Sequence, residues 1–256
     1  NIRDSDYDEN YWRKEFDKLD FDFDDLTGFF ESIENAESIF DEIKKGDILN
    51  HVPYHSYESV IKFFEDAATD PTVTHIKIIQ YRVAKISRIM DALILAVKNG
   101  KQVSAFVEIK ARFDEAANLQ WGERLEKAGV AVNYSIPGLK VHSKMTIVRR
   151  IEKDKAKIYC YFSTGNFHED TATLYSDIGV FTADKNLTSE ATRVFSYLET
   201  KNRPSKPFKY LAVGQFNLKP MLLNLITYET SQAEKGKTAQ IILKMNSLQD
   251  SEMIAA

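Results

Sequence analysis

The sequence lacks several features that would narrow its function at once. It has a single cysteine, Cys160. That excludes an internal disulfide and suits a reducing compartment. Cys160 lies in the apolar stretch "KIYCYFST", which reads as a buried core thiol. No apolar run approaches the roughly 20 residues needed to cross a bilayer. No basic-then-apolar leader opens the chain. The phosphate cradles G-x-x-x-x-G-K-[ST] and G-x-G-x-x-G are both missing, so a nucleotide would need a different seat. There is no H-E-x-x-H, no cysteine pair, and no paired helix carboxylates to hold two metal ions. His51 and His55 are four apart without further ligands and read as loop or cap residues. His75 opens a strand and reads as structural.

What is present begins with charge. The 256 residues carry a formal net charge of −4, unevenly spread. Residues 1–50 hold 16 acids and 6 bases, whereas residues 77–150 hold 14 bases and 6 acids. The acidic total argues against a general nucleic-acid binder. The basic centre permits an anionic ligand held locally. Hydrophobic residues make up 43%, enough for a sizeable core.

Residues 1–28 are acidic and aromatic without a strong period, and read as the tail of a preceding domain. "FFESIENAESIFDEIKKGD" contains a short helical pattern. From His51 onward the pattern is regular. "YESVIKFFEDAATD" predicts a helix with Val60, Phe63, Phe64 and Ala67 inward. "HIKIIQY" predicts a strand. "SRIMDALILAVKNG" predicts a helix capped by Ser87 and stopped at Gly100. "KQVSAFVEI" is a strand, "DEAANLQWGERLEKAG" a helix closed by Gly129, and "VAVNYSI" a strand. This alternation predicts βαβ units and a mixed, mostly parallel sheet flanked by helices. "SKMTIVRR" and "KIYCYFST" around "IEKDKA" predict a hairpin. "DIGVFTA" is a further strand and "LTSEATRVFSYLETK" a helix. "NRPSKP" suits a boundary. The predicted helix "KPMLLNLITYETSQAEKG" and strand "TAQIILKMN" then look like the opening of a second α/β unit. The domains read as 29–209 and 210–256.

Ligands in open α/β sheets collect at strand ends. Four such ends carry unusual polar residues: "IKIIQYR" with Arg82; "VEIKARFDE" with Glu108, Lys110 and Arg112; "LKVHSKM" with His142 and Lys144; and "FSTGNFHED" with Ser163, Thr164, Asn166 and His168. Guanidinium forks, ammonium groups, an imidazole and an amide form a donor set suited to phosphoryl oxygens. His142 and Lys144 are two apart, so on a strand they share a face. An imidazole among cations holds its proton poorly, which leaves a lone pair for attack on phosphorus. Taken singly, His142 reads more readily as a hydrogen-bonded structural histidine; Arg82, Arg112 and Asn166 shift the reading towards the site. Gly138 and Gly165 read as turn positions beside it.

"HSK" followed by "TGNF" resembles the phospholipase D superfamily. The usual aspartate after the lysine is replaced by Arg149 and Arg150, which weakens a phosphodiesterase reading. "HVPYHSYESV", "IKIIQYRVAK", "VEIKARFDEAANLQWGERLEKAGVAV", "GLKVHSKM", "STGNFHEDTATLYSDIGVFTAD" and "LKMNSL" together resemble the polyphosphate kinases of the first type, members of that superfamily. The resemblance implies a phospholipase D-like layered fold. It also implies reversible transfer of the terminal phosphoryl group of ATP to inorganic polyphosphate, with ADP released. It implies His142 as the phosphorylated residue, Lys144 and Asn166 lining the phosphate site, and Tyr175 near the nucleotide base. Arg82 and Arg112 would lie near Mg2+ and phosphates, meeting the ion only through phosphate oxygens or water. It implies four domains in the full enzyme, of which this chain holds the third with parts of the second and fourth. The implied enzyme is a cytoplasmic homodimer, sometimes loosely held at a membrane, with no nucleic-acid partner. The resemblance also implies a second histidine in the last domain, which would lie past Ala256 since no histidine follows His168, and an amino-terminal domain that helps hold the nucleotide base, so the fragment alone is expected to be inactive. The competing readings are a phosphodiesterase half-domain and a non-catalytic polyanion-binding module.

Overall fold

A computed structural model describes residues 33, 35–108, 115–134, 136, 138–243, 245 and 247–256. The chain divides into two compact units, 1–184 and 185–256.

In the first unit the described elements run α1 (Ile39–Lys45), β1 (Ile48–Val52), α2 (Glu58–Thr69), β2 (Val73–Gln80), α3 (Arg88–Lys98), β3 (Gln102–Val107), α4 (Glu115–Lys127), β4 (Ala131–Tyr134), β5 (Lys144–Glu152), β6 (Lys155–Ser163), α5 (Glu169–Ala172) and β7 (Asp177–Thr182). One seven-stranded sheet has the order β1-β7-β6-β5-β2-β3-β4. The β2–β3 and β3–β4 pairs are parallel, since α3 and α4 supply the crossovers that parallel neighbours need. The other four pairings are antiparallel. The expected sheet is therefore mixed, as read, but its balance is antiparallel rather than mostly parallel. The physical reason is the second half of the chain. There β5 and β6 are joined by a tight turn at Lys153 and Asp154, both at positive φ, which forces neighbouring strands to oppose. The strand β1, which the sequence pattern did not single out, closes the far edge against β7.

Local chemistry explains the helices. Ser87 Oγ accepts the backbone N–H of Met90 and caps α3. Gly100 at φ 79° and Gly129 at φ 95° end α3 and α4 in the left-handed region. Val60, Phe63, Phe64 and Ala67 of α2 are buried, as the spacing predicts. They join Ile76, Ile78, Tyr161, Phe167 and Phe181 in one apolar core. Cys160 is buried, and burial pushes its thiol well up.

The second unit holds α6 (Lys185–Thr200), α7 (Leu218–Glu234) and α8 (Ser251–Ala255). The "NRPSKP" stretch precedes a segment drawn back onto α6. Buried Glu190 accepts the backbone N–H groups of Lys209, Tyr210 and Leu211. The strand expected at "TAQIILKMN" is absent among the described residues there. A strand exists only with a ladder partner, and no other strand is described in this unit. No described helix is long and apolar enough to cross a membrane.

Candidate active site

The carboxyl ends of β2 and β3, the segment entering β5 and the loop after β6 are tied together by buried polar side chains. Gln80 Nε2 donates to the carbonyls of Arg82 and Phe167, the latter at 3.2 Å. Asn118 of α4 donates to the carbonyls of Tyr81 (2.7 Å) and Glu108 (3.0 Å). Glu108 extends the β2–β3 ladder through its N–H to Gln80 O, and its Oε2 accepts the Val141 N–H at 3.1 Å. The amide N–H groups of Gln80 and Asn118 are thus bonded across loops and hold them, while Gln80 Oε1 and Asn118 Oδ1 are buried with no hydrogen-bond partner among the described residues.

His142 lies outside any regular element, and β5 begins only at Lys144. The two side chains nevertheless meet. Lys144 Nζ stands 2.8 Å from His142 Nδ1, 3.2 Å from Nε2 and 2.6 Å from the His142 carbonyl. Lys144 is only 5% exposed, while His142 is exposed. The Tyr81 ring packs edgewise on the imidazole at 4.5 Å between centroids. Lys144, Lys140 and Arg82 crowd the same tyrosine at 5.0, 5.7 and 5.8 Å.

This crowding sets the protonation states. Partial burial, then Lys144, Lys140 and Arg82, hold the His142 pKa below the ordinary histidine value. Burial lowers Lys144 to about 8; Asp177 pulls it back up, and Arg82 and Lys140 push it further down. A neutral imidazole and a charged ammonium are thus the compatible pair near neutral pH. Lys144 donates to the ring nitrogen that holds the lone pair.

Across the sheet, Lys144 is in register with Ser163 of β6. The turn that follows is held by Thr164 Oγ1 donating to Asp177 Oδ1 at 2.7 Å and by the Gly165 N–H donating to Ser163 Oγ. A Cβ on Gly165 would lie 2.7 Å from Asp177 Oδ2. Asn166 follows, and its Oδ1 is buried with no hydrogen-bond partner among the described residues.

The structure therefore brings His142, Lys144 and Arg82 together, with the Asn166 loop fastened beside Arg82 through Gln80. Lys110 and Arg112 lie outside the described residues. Tyr175 is 63% exposed, and no described contact brings it against the imidazole. His168 caps α5, accepting from the Thr171 N–H. His51, within β1, meets Ser176 Oγ through Nε2 at 3.0 Å, and His55 Nδ1 in the loop after β1 accepts the His51 N–H, so the pair ties that loop to the strand. Tyr81, Lys140 and Asp177 belong to the site and were not singled out from the sequence. Tyr81 sits within "IKIIQYR", but its role depends on His142, which is 61 residues away.

The described residues contain no group of three side chains able to hold a metal ion. The donors around His142 are cationic and would repel a divalent ion, so they do not form a magnesium cage.

Residues 38–204 match the family model of polyphosphate kinase C-terminal domain 1, and residues 211–256 that of C-terminal domain 2. The polyphosphate kinase of Vibrio vulnificus strain YJ016 is 46% identical over 226 residues, covering 88% of this chain and 32% of that protein. The polyphosphate kinase of Escherichia coli K12 is 44% identical over 215 residues, covering 84% and 31%. The crystal structure of polyphosphate kinase from Porphyromonas gingivalis aligns with a TM-score of 0.77 at 39% identity, covering 88% of this chain and 37% of that one. The chain spans about a third of the length of the curated relatives it matches.

Proposed function

This chain belongs to the polyphosphate kinase family, and from that premise we propose that it carries the nucleophile half of a phosphoryl-transfer site. A lone-pair nitrogen of His142 attacks the terminal phosphorus of ATP. The bond from that phosphorus to the bridging oxygen breaks, the electron pair stays on the oxygen, and ADP leaves. A terminal oxygen of a polyphosphate chain then attacks that phosphorus, the phosphorus–nitrogen bond breaks, and its electron pair returns to the His142 ring nitrogen. Lys144 shifts its hydrogen bond from the imidazole to a phosphoryl oxygen as negative charge builds up there. Arg82 and Arg112 are proposed to grip the remaining oxygens in planar, two-point contacts. The Asn166 side chain is proposed to line the phosphate seat and Tyr175 the base. Magnesium is expected to arrive on the nucleotide's phosphates, and no step is assigned to it. The remaining domains of the longer relatives are proposed as obligatory partners.

The observation that carries this reading is the 2.8 Å contact between Lys144 Nζ and His142 Nδ1, with two further cations beside them. The full-length enzyme carrying this segment, incubated with ATP labelled on its terminal phosphate, is expected to yield acid-labile, base-stable label on the peptide containing His142. His142→Asn should abolish it. Label on another residue, or undiminished turnover in H142N, would contradict the reading.

A further inference from the structure

We infer that Glu108 is a positioning residue that aims His142, by latching the backbone immediately before it; this rests on His142 being the nucleophile. Glu108 stands one residue past the end of β3 and is 1% exposed. Buried carboxylates are rare unless their oxygens are bonded, because stripping water from them is costly. Here Oε2 accepts the N–H of Val141, itself buried, and Val141 directly precedes His142. Thirty-three residues separate the two partners, so the bond joins β3 to the segment entering β5 rather than decorating a local turn.

The same residue is held from behind. Its N–H donates to Gln80 O and its carbonyl accepts from Asn118, whose amide also holds the Tyr81 carbonyl. Glu108 and Asn118 thus fix, in one frame, both the histidine's backbone and the tyrosine on which its ring packs. β5 itself begins two residues after His142, so the sheet ladder does not reach the imidazole. The latch on the Val141 N–H, with the Lys144 Nζ bond to the His142 carbonyl, supplies what the ladder lacks.

In-line attack tolerates little misplacement, and an error of about 1 Å costs on the order of 100-fold in rate. In the full-length enzyme, Glu108→Ala is therefore expected to slow phosphohistidine formation by about 30- to 100-fold while the KM for ATP stays within about threefold. Glu108→Gln keeps an oxygen at the same reach and should stay within about fivefold of wild type, since a neutral acceptor forms a similar, weaker bond. Glu108→Asp keeps the charge but draws the oxygen back by one methylene, and should lose at least about tenfold. This D/Q pair decides the matter even if E108A fails to fold. A merely structural role would lower thermal stability and leave the rate of the folded enzyme unchanged. E108D within twofold of wild type, or E108Q as slow as E108D, would overturn the latch. A wild-type enzyme without phosphohistidine at His142 would instead remove the reading beneath it.

Discussion

At the scale of single residues the account turns on an imidazole and an ammonium 2.8 Å apart. Two such groups cannot both hold a full proton load at low cost, so partial burial and cationic neighbours press His142 towards its neutral form. Lys144, lowered to about 8, is the group that next loses charge as pH rises. The signs give a bell. Attack requires neutral His142, so the rate falls only when pH drops through a value below the ordinary histidine pKa of about 6.5. Stabilisation of the departing charge requires protonated Lys144, so the rate falls again as pH rises through about 8. A rate–pH profile of single-turnover phosphorylation checks both limbs. Lys144→Met should cost roughly 100-fold or more, remove the alkaline limb, and move the acid limb upward, because one of the cations that lower the His142 pKa is gone. An acid limb that stays in place in K144M would show that the lysine does not act on the imidazole.

At the scale of elements, the site depends on how helices and turns are held. Ser87 caps α3 and also donates from Oγ to Glu169 Oε1 at 2.8 Å, linking that helix to the start of α5. Ser87→Ala should lower stability by about 1–2 kcal/mol, readable by denaturant titration. A change under a few tenths would mean that neither bond contributes. The turn after β6 has a tighter constraint. A methyl on Gly165 would sit 2.7 Å from Oδ2 and 2.9 Å from Cβ of Asp177, too close to the aspartate's fixed base for a simple rotation to relieve. Gly165→Ala should therefore shift the Asn166 loop and slow phosphoryl transfer about tenfold or more, by the same misplacement argument. Transfer at the wild-type rate would show that the loop's placement does not matter.

These elements differ in how openly the sequence displays them. The buried stripe Val60, Phe63, Phe64 and Ala67, the cap at Ser87 and the stops at Gly100 and Gly129 are local chemistry, so they can be read from a short window. Strand direction is not local. The run of βαβ units up to Tyr134 suggests parallel pairing throughout, yet β2 takes the hairpin strand β5 as its second neighbour and most pairings become antiparallel. The strand "ILNHV" alternates buried and exposed positions, but five residues are too few to announce themselves. The "TAQIILKMN" run has strand composition and no described partner. Within the site, the His142–Lys144 spacing and Arg82 are visible as motif residues. The Glu108 latch, the Tyr81 ring and the Asp177 carboxylate act across 33 residues or more of chain, and only the folded sheet brings them to His142 and Lys144.

At the scale of the whole molecule, the first unit holds a closed core and the clustered cations, whereas α7 of the second has no buried residue along its 17 positions. A helix in water without a buried face is only marginally stable. That fits a chain covering about a third of its relatives' length. The isolated 256-residue chain is expected to make no detectable polyphosphate from ATP, with the full-length enzyme as positive control. Full synthesis by the isolated chain would show that the other domains are dispensable. The central claim is that the His142 ring nitrogen meets phosphorus inside a cluster of cations. A crystal structure of the full-length enzyme trapped after reaction with ATP tests it most directly. The expected result is a phosphoryl group bonded to that nitrogen, with Lys144 and Arg82 on its oxygens. A phosphoryl group bound elsewhere, with the imidazole bare and turned from the cations, would contradict it.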